Sequence, residues 1–148
     1  MIFAFKKRPD TIWGKVICWW TGGPYFHVGA WFRDGTWFEA DTPGGVATFL
    51  VTYLDPKHWD CFEVVLSENE EAIIREWFAG ELGCGYDYLG LCLAQVFGIN
   101  WRSKTKWFCS ELMVEGLQQL CRFVGFTPCR ISPNKFAKMV QTIGRKVI

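Results

Sequence analysis

The chain has 148 residues, of which 50% are hydrophobic and 21% are charged, and its formal net charge is +1. This composition predicts a single folded domain over residues 1–148 and excludes an intrinsically disordered chain. A net charge so close to zero provides no general attraction for nucleic acid, so no nucleic-acid partner is expected.

Two features of the sequence argue against a membrane-spanning or exported protein. The most promising stretch for a membrane span, Tyr88 to Trp101, has 14 uncharged residues that include two glycines, whereas a transmembrane helix needs about 20 apolar residues. The first charges, Lys6 to Asp10, follow the initial apolar residues instead of preceding them. No signal peptide is therefore predicted, and a cytoplasmic location is expected.

Cysteine and histidine are distributed in a way that does not suggest a metal site. The seven cysteines stand at positions 18, 61, 84, 92, 109, 121 and 129. They form no Cys-x-x-Cys pair, and the two histidines, His27 and His58, are far apart in the sequence. Neither a bound metal nor a cofactor is expected from this pattern.

The first 66 residues predict strands and turns that follow one short helix. Asp10 is the predicted cap of that helix. Its apolar stripe comprises Ile12, Trp13, Val16, Ile17 and Trp20. We expect the stripe to pack on the domain, and peripheral contact with a membrane or an acyl chain is the alternative. Strands are predicted at 26–33, 36–40, 46–51 and 61–66.

The second part of the chain predicts helices, which together with the preceding strands indicates an α+β fold. Ser67 and Glu70 form a capping box for a helix that ends at Gly83. Its predicted apolar face comprises Ile73, Ile74, Trp77, Phe78 and Leu82. Further helices are predicted over 88–97, from Cys109, and from Ser132-Pro133.

Residues 116–148 carry no acidic side chain. Their basic residues are Arg122, Arg130, Lys135, Lys138, Arg145 and Lys146. A solvated basic face is the expected role of this segment, and an anionic partner is the alternative.

A cysteine at the predicted start of the third helix is the candidate nucleophile. Cys109 would meet the positive end of the helix dipole and unpaired backbone N–H groups, both of which favour the thiolate. By contrast, Cys92 and Cys121 are predicted inside helices among apolar residues, and Cys61 lies in a predicted strand. A purely structural cysteine at position 109 is the alternative.

The candidate base is His27, because a predicted strand offers its imidazole a rigid mount. The length of the following turn decides whether a carboxylate can reach it. A two-residue turn would send Glu39 to the opposite face of the hairpin. A three-residue turn ending at Gly35 would place Glu39 and Asp41 on the face of His27, and Gly29 would leave room for the imidazole. Glu39 is then the predicted orienting carboxylate, with Asp41 as the alternative.

Several segments, taken in chain order, resemble the circularly permuted branch of the NlpC/P60 papain-like superfamily. In that branch a histidine strand comes first, a polar residue follows about a dozen positions later, and the cysteine comes late. Here the sequence Tyr-Phe-His-Val-Gly surrounds His27, Glu39 follows, and Trp-Phe-Cys-Ser-Glu-Leu surrounds Cys109. Segments 19–25, 44–46, 85–90 and 132–133 are also similar, so the resemblance spans about residues 12–143.

The resemblance implies a papain-like fold in one domain, with a small antiparallel sheet packed against helices. It implies a cysteine peptidase or amidase type of hydrolase in which Cys109 attacks an amide bond. His27 would move the proton, Glu39 would orient His27, and Tyr86 would contact the substrate. Asp87 is expected to cap a helix.

The resemblance allows more than one substrate class and more than one location. The usual substrates of the superfamily are peptidoglycan stem peptides, whereas other permuted members act on protein amides or on the acyl chains of lipids. A lipid acyltransferase or thioesterase is therefore an alternative. Similar small proteins are encoded by bacteriophages, which implies the host cytoplasm or the virion. A non-catalytic phage structural or host-interaction protein is the remaining alternative.

Overall fold

The computed structural model describes residues 1–96, 99, 103 and 105–148. In this part of the chain the strands are β1 (Ile2–Lys7), β2 (Tyr25–Trp31), β3 (Thr36–Asp41), β4 (Gly45–Leu50), β5 (Trp59–Glu63), β6 (Gly85–Tyr86), β7 (Lys106–Trp107) and β8 (Arg145–Lys146). The α-helices are α1 (Ile12–Thr21), α2 (Glu68–Gly80), α3 (Tyr88–Val96), α4 (Cys109–Gln118) and α5 (Pro133–Ile143). The predicted α+β class is confirmed.

Six strands form one antiparallel sheet in the order β4-β3-β2-β1-β5-β8, and β6 pairs with β7 separately. Strand β1 lies inside the larger sheet, where Phe5 stands opposite Val28 on one side and Asp60 on the other. This strand is not among those predicted from the sequence. Because β1 is covered on both faces, it begins with the unbroken apolar run Ile-Phe-Ala-Phe, which shows no alternation with polar residues.

Apolar side chains cover both faces of the sheet. The larger cluster includes Phe3, Phe5 and Val28 and joins the sheet to α2, α4 and α5. The smaller cluster contains Ala4 and Trp37. Because successive residues of a strand point to opposite faces, the two clusters lie on opposite sides of β1.

Helix α2 begins at the predicted capping box but ends sooner than expected. The Ser67 hydroxyl accepts a hydrogen bond from the Glu70 N–H, and the Glu70 carboxylate accepts one from the Ser67 N–H. The helix ends at Gly80 instead of the predicted Gly83. Of the predicted face, Ile73 and Leu82 are 48% and 41% exposed. The helix therefore buries a narrower stripe than the sequence suggested.

Helix α1 differs most from its prediction. Thr11, not Asp10, is the N-cap, and its side chain accepts a hydrogen bond from the Gly14 N–H. The apolar stripe was expected to pack on the domain, yet Trp13 is 75% exposed and Trp20 is 46% exposed. That expectation is wrong, because the side of the helix that contacts the domain is the one that carries the small residue Gly14.

The later helices begin where the sequence placed them. Helix α4 starts at Cys109, and α5 is preceded by the predicted Ser132 cap. The prediction for α3 extended to Phe97, which lies outside the described residues. Cys92 and Cys121 are both exposed, and Cys121 lies beyond the end of α4, so neither has the expected apolar surroundings. Within the described residues, every helix is too short or too polar to cross a membrane.

Replacing Gly29 by alanine is expected to destabilise the protein. An added Cβ would overlap the Trp37 indole, and this bulky ring is only 1% exposed. Overpacking of this kind costs about 1–3 kcal/mol in free energy of unfolding. Chemical denaturation would measure the loss. Gly80→Ala is the matched control, because its added Cβ meets nothing within 4 Å. If Gly29→Ala and Gly80→Ala had equal free energies of unfolding, the proposed overlap with Trp37 would be contradicted.

Candidate active site

The hairpin of β2 and β3 places His27 and Glu39 on the same face. The Phe32 N–H donates to the Thr36 carbonyl at 2.9 Å, and the Gly35 N–H donates back to the Phe32 carbonyl at 3.0 Å. Gly35 has a φ of 87°, which glycine adopts without strain. The turn therefore has three residues, as predicted, and the parity needed to bring the carboxylate towards the histidine is present.

The space beside Gly29 has a different occupant from the one expected. The strands pair with Ala30 opposite Phe38, so the same register sets Gly29 opposite Glu39. The sequence analysis reserved this space for the imidazole, but a Cβ at Gly29 would overlap the Trp37 indole. The missing side chain thus admits the indole of the neighbouring strand, and this ring lies beside the site.

His27 connects a carboxylate to a thiol. Its Nε2 lies 2.8 Å from Oε2 of Glu39, and the neighbouring Cys109 side chain raises the pKa of its ring. Because Nε2 is engaged by Glu39, Nδ1 is the ring nitrogen left for the sulfur. His27 is 6% exposed and Cys109 is 2% exposed, so the contact is shielded from water.

This environment favours the protonated form of His27. Burial lowers the pKa of the imidazole, but the hydrogen bonds and negative charges of Cys109 and Glu39 raise it, and the net result is a pKa of about 10. An imidazolium in this position stabilises negative charge on the neighbouring sulfur. The arrangement is suited to a thiolate–imidazolium pair.

Glu39 remains the ionised partner of that imidazolium. Burial raises the pKa of its carboxyl, but the hydrogen bond and charge of His27 lower it, as do Trp37 and Lys6, and the net pKa is below the usual value. A negatively charged Glu39 can hold the imidazole in one orientation and compensate its positive charge.

Helix α4 fixes the position of the thiol. Beyond Cys109, the side chains of Leu112 and Met113 are fully buried in the larger cluster. The Ser110 hydroxyl donates to the Ile131 carbonyl at 2.6 Å, which ties the first turn to the segment before α5. Phe108 is the N-cap and its hydrocarbon side chain cannot accept a hydrogen bond, so backbone N–H groups of the first turn remain for a ligand.

Tyr86 lies beside Cys109, as predicted. It stands opposite Trp107 in the short β6–β7 ladder, just before the cysteine. Burial raises the pKa of its hydroxyl well above 10.0, and the charges of Cys109 and Asp41 raise it further. The hydroxyl therefore keeps its proton and can act as a hydrogen-bond donor.

Two further acidic residues, Asp87 and Glu111, occupy structural positions just before α3 and in α4. Asp87 accepts a hydrogen bond from the Gly90 N–H at 2.8 Å, so it caps α3 as expected. Glu111 is 1% exposed and belongs to the buried surface of α4. Neither carboxylate is placed on His27, which leaves Glu39 as the carboxylate hydrogen-bonded to the imidazole.

Asp41, the alternative orienting residue, lies near the site but is exposed. Its Oδ1 accepts a hydrogen bond from the Thr42 N–H at 2.7 Å. Ligand atoms of His27, Glu39 and Asp41 lie within 4.8 Å of one another, a set that could hold a divalent cation. A cation there would replace the hydrogen bond between His27 and Glu39 and would compete with the thiolate–imidazolium arrangement.

Three residues that the sequence analysis did not assign to the site complete its surroundings. The Trp59 ring lies 6.3 Å from the His27 ring in an edge arrangement. Lys6 lowers the pKa of Glu39 and sits 5.9 Å from the Trp59 ring. Lys6 lies in β1, Trp37 in β3 and Trp59 in β5. Recognition of β1 as a strand would have indicated Lys6, whereas nothing in the sequence pairs Trp59 with His27.

Comparisons with known proteins returned no match. No protein-family model, no curated protein and no solved structure matches this chain.

Proposed function

We propose that this protein is a small cysteine hydrolase of permuted NlpC/P60, papain-like architecture that cleaves an amide bond through a thioacyl intermediate. The observation that carries the proposal is that His27 is hydrogen-bonded to Glu39 and lies beside Cys109, whose side chain raises the pKa of the imidazole. A nucleophile, a base in contact with it and a third group that orients the base are the parts that nucleophilic catalysis requires.

The first half of the proposed reaction forms the acyl enzyme. The Cys109 thiolate attacks the carbonyl carbon, and the carbonyl oxygen takes up negative charge. The N–H of Cys109 and the hydroxyl of Tyr86 are the candidate donors to that oxyanion. As the C–N bond breaks, the His27 imidazolium gives its proton to the leaving amine, and the acyl group remains on sulfur.

The second half releases the acyl group. Neutral His27 takes a proton from water while the water oxygen attacks the thioester carbonyl. Collapse of the tetrahedral intermediate breaks the C–S bond, releases a carboxylic acid and restores the thiolate–imidazolium pair. Glu39 supports both halves because its negative charge stabilises the imidazolium each time it forms.

The order of the site residues along the chain supports the choice of architecture. His27 and Glu39 come from an early hairpin, whereas Cys109 begins a late helix that packs against the same sheet. This order resembles the permuted branch, in which the cysteine follows the histidine. Peptidoglycan peptides and protein amides both satisfy the proposed chemistry.

Cys109 is expected to be the thiol most rapidly alkylated by a limiting dose of iodoacetamide at about pH 6. An ordinary thiol is well under about 1% thiolate at that pH, whereas one paired with an imidazolium is largely ionised. We expect alkylation at least about tenfold faster than at the exposed Cys92 and Cys121. Peptide mapping by mass spectrometry measures the three rates.

The matched control for this alkylation experiment is His27→Ala, which should slow the reaction at Cys109 while leaving Cys92 and Cys121 unchanged. An unreactive Cys109 in the folded wild-type protein would contradict the proposal and favour a non-catalytic protein.

Glu39→Gln is expected to lower the pKa of His27. The carboxylate stabilises the imidazolium, so its removal favours the neutral ring and should move the titration from about 10 downwards by about 1–2 pH units. Because the chain holds only two histidines, NMR of the imidazole resonances can follow His27 directly, with His58 as the internal reference. A His27 titration that is identical in the two proteins would contradict the role assigned to Glu39.

Substrate hydrolysis should depend on the proposed nucleophile. We expect the protein to release new amines from purified peptidoglycan or from an unfolded protein, and Cys109→Ala should reduce the rate by about 10³-fold or more. Product mass spectrometry identifies the bond that is cleaved. Equal product from wild type and Cys109→Ala would show that the activity does not come from this site.

A lipid acyl chain is the second candidate substrate, and a particular surface favours it. Tyr88 and Leu89, at the start of α3, are 57% and 55% exposed. The Tyr88 ring lies 4.9 Å from the Tyr86 ring, so this apolar surface adjoins the site. Release of fatty acid from phosphatidylcholine vesicles, without cleavage of amides and lost in Cys109→Ala, would favour this candidate.

A further inference from the structure

The outward face of α1 is entirely apolar. Its residues and their exposed fractions are Ile12 79%, Trp13 75%, Val16 43%, Trp19 76% and Trp20 46%. At about 100° of rotation per residue, these five side chains fall within an arc of about 120°. A surface helix normally turns its apolar face towards the core of the protein. In α1 the apolar face points away from the domain instead.

Contacts on the inner side hold α1 in this orientation. Gly14 is buried, and a Cβ there would lie 2.7 Å from Cβ of Pro9 and 3.1 Å from the Phe26 ring. The Cys18 thiol donates to the Pro24 carbonyl at 3.3 Å. Since the small residues occupy the close contact, the helix cannot roll to bury its tryptophans without a clash.

Exposed cations lie on α1 and on the segments next to it. Lys15 is exposed on the helix itself, and Arg8 is exposed just before it. At the other end, the Asn134 side chain donates to the Thr21 hydroxyl at 2.6 Å, which places the start of α5 beside α1. The exposed residues Lys135 and Lys138 follow on α5.

Few negative charges offset these cations. The segment 11–21 contains no acidic residue, and Asp10 is the single acid between Arg8 and Lys15. The apolar face is therefore accompanied by cations, which complement an anionic partner surface.

We infer that α1 docks on the surface of an anionic lipid bilayer, with its apolar face at the boundary between headgroups and acyl chains. Indole rings favour this boundary because they combine a large apolar body with a polar N–H. The helix has 10 residues and is about 15 Å long, half of the bilayer core, so it lies in the plane of the interface and does not span it. Lys15 and Arg8 contact the headgroups.

This inference does not depend on catalysis by Cys109, but it concerns a surface close to the candidate site. Helix α1 ends at Thr21, and β2, which carries His27, begins at Tyr25. Only three residues separate the docking helix from the strand that carries the imidazole.

Vesicle flotation tests the docking surface directly. We expect the full-length protein to float with vesicles of phosphatidylcholine containing about one quarter phosphatidylglycerol, and more weakly with phosphatidylcholine alone. The double variant Trp13→Ser/Trp19→Ser should reduce the floated fraction by about tenfold, although every charge is retained. Lys15→Glu should weaken binding to the anionic vesicles only.

A matched double variant separates the α1 face from general surface hydrophobicity. Leu50 and Tyr53 are 75% and 72% exposed, so Leu50→Ser/Tyr53→Ser removes two comparably exposed apolar side chains elsewhere and should float like wild type. Wild type that fails to float would overturn the inference, as would a Trp13→Ser/Trp19→Ser protein that floats equally well. A dimer in size-exclusion chromatography that this variant abolishes, with no flotation of wild type, would identify a second copy as the occupant instead.

Discussion

The contact of His27 with Glu39 and Cys109 is the interaction on which the candidate site depends. All three side chains are largely withdrawn from water, and a buried charge is tolerated only when it is paired. The imidazolium is compensated by the carboxylate on one side and by the sulfur on the other. Removing either partner would leave the imidazolium with one compensating group instead of two, so the elements that carry these side chains must meet accurately.

Two structural constraints bring Glu39 and Cys109 to His27. The odd length of the turn before Gly35 sets the parity of β3 relative to β2, which brings Glu39 to the face of His27. Helix α4 is anchored by its buried side chains and by the Ser110 hydrogen bond, which fixes Cys109 at its first turn. Neither constraint involves the imidazole, the carboxylate or the thiol themselves, so packing and backbone geometry position these three groups.

The segment from α1 to β2 carries both the proposed docking helix and the proposed base, His27. Helix α1 exposes tryptophans on one side and packs through Gly14 on the other, and the chain then enters the strand that carries His27. A protein that binds a bilayer through α1 would hold its thiol site at a constant distance from the lipid surface. Substrates carried by, or lying near, such a surface would then meet the site at a high local concentration.

The sequence by itself determined the features that depend on neighbouring residues. The capping box at Ser67, the Pro start of α5, the start of α4 at Cys109 and the three-residue turn at Gly35 follow from local hydrogen bonding and backbone preference. For the same reason, the parity of the turn is enough to predict that Glu39 lies on the face of His27.

Only the tertiary structure decided what lies against each of these elements. The apolar stripe of α1 has the same pattern whether it faces a core or the outside, because periodicity does not record which side meets the domain. Strand β1 was missed since burial on both faces removes the alternation that marks a strand. The space at Gly29 and the position of Trp59 beside His27 likewise depend on residues from separate strands, whose packing is set by the whole fold.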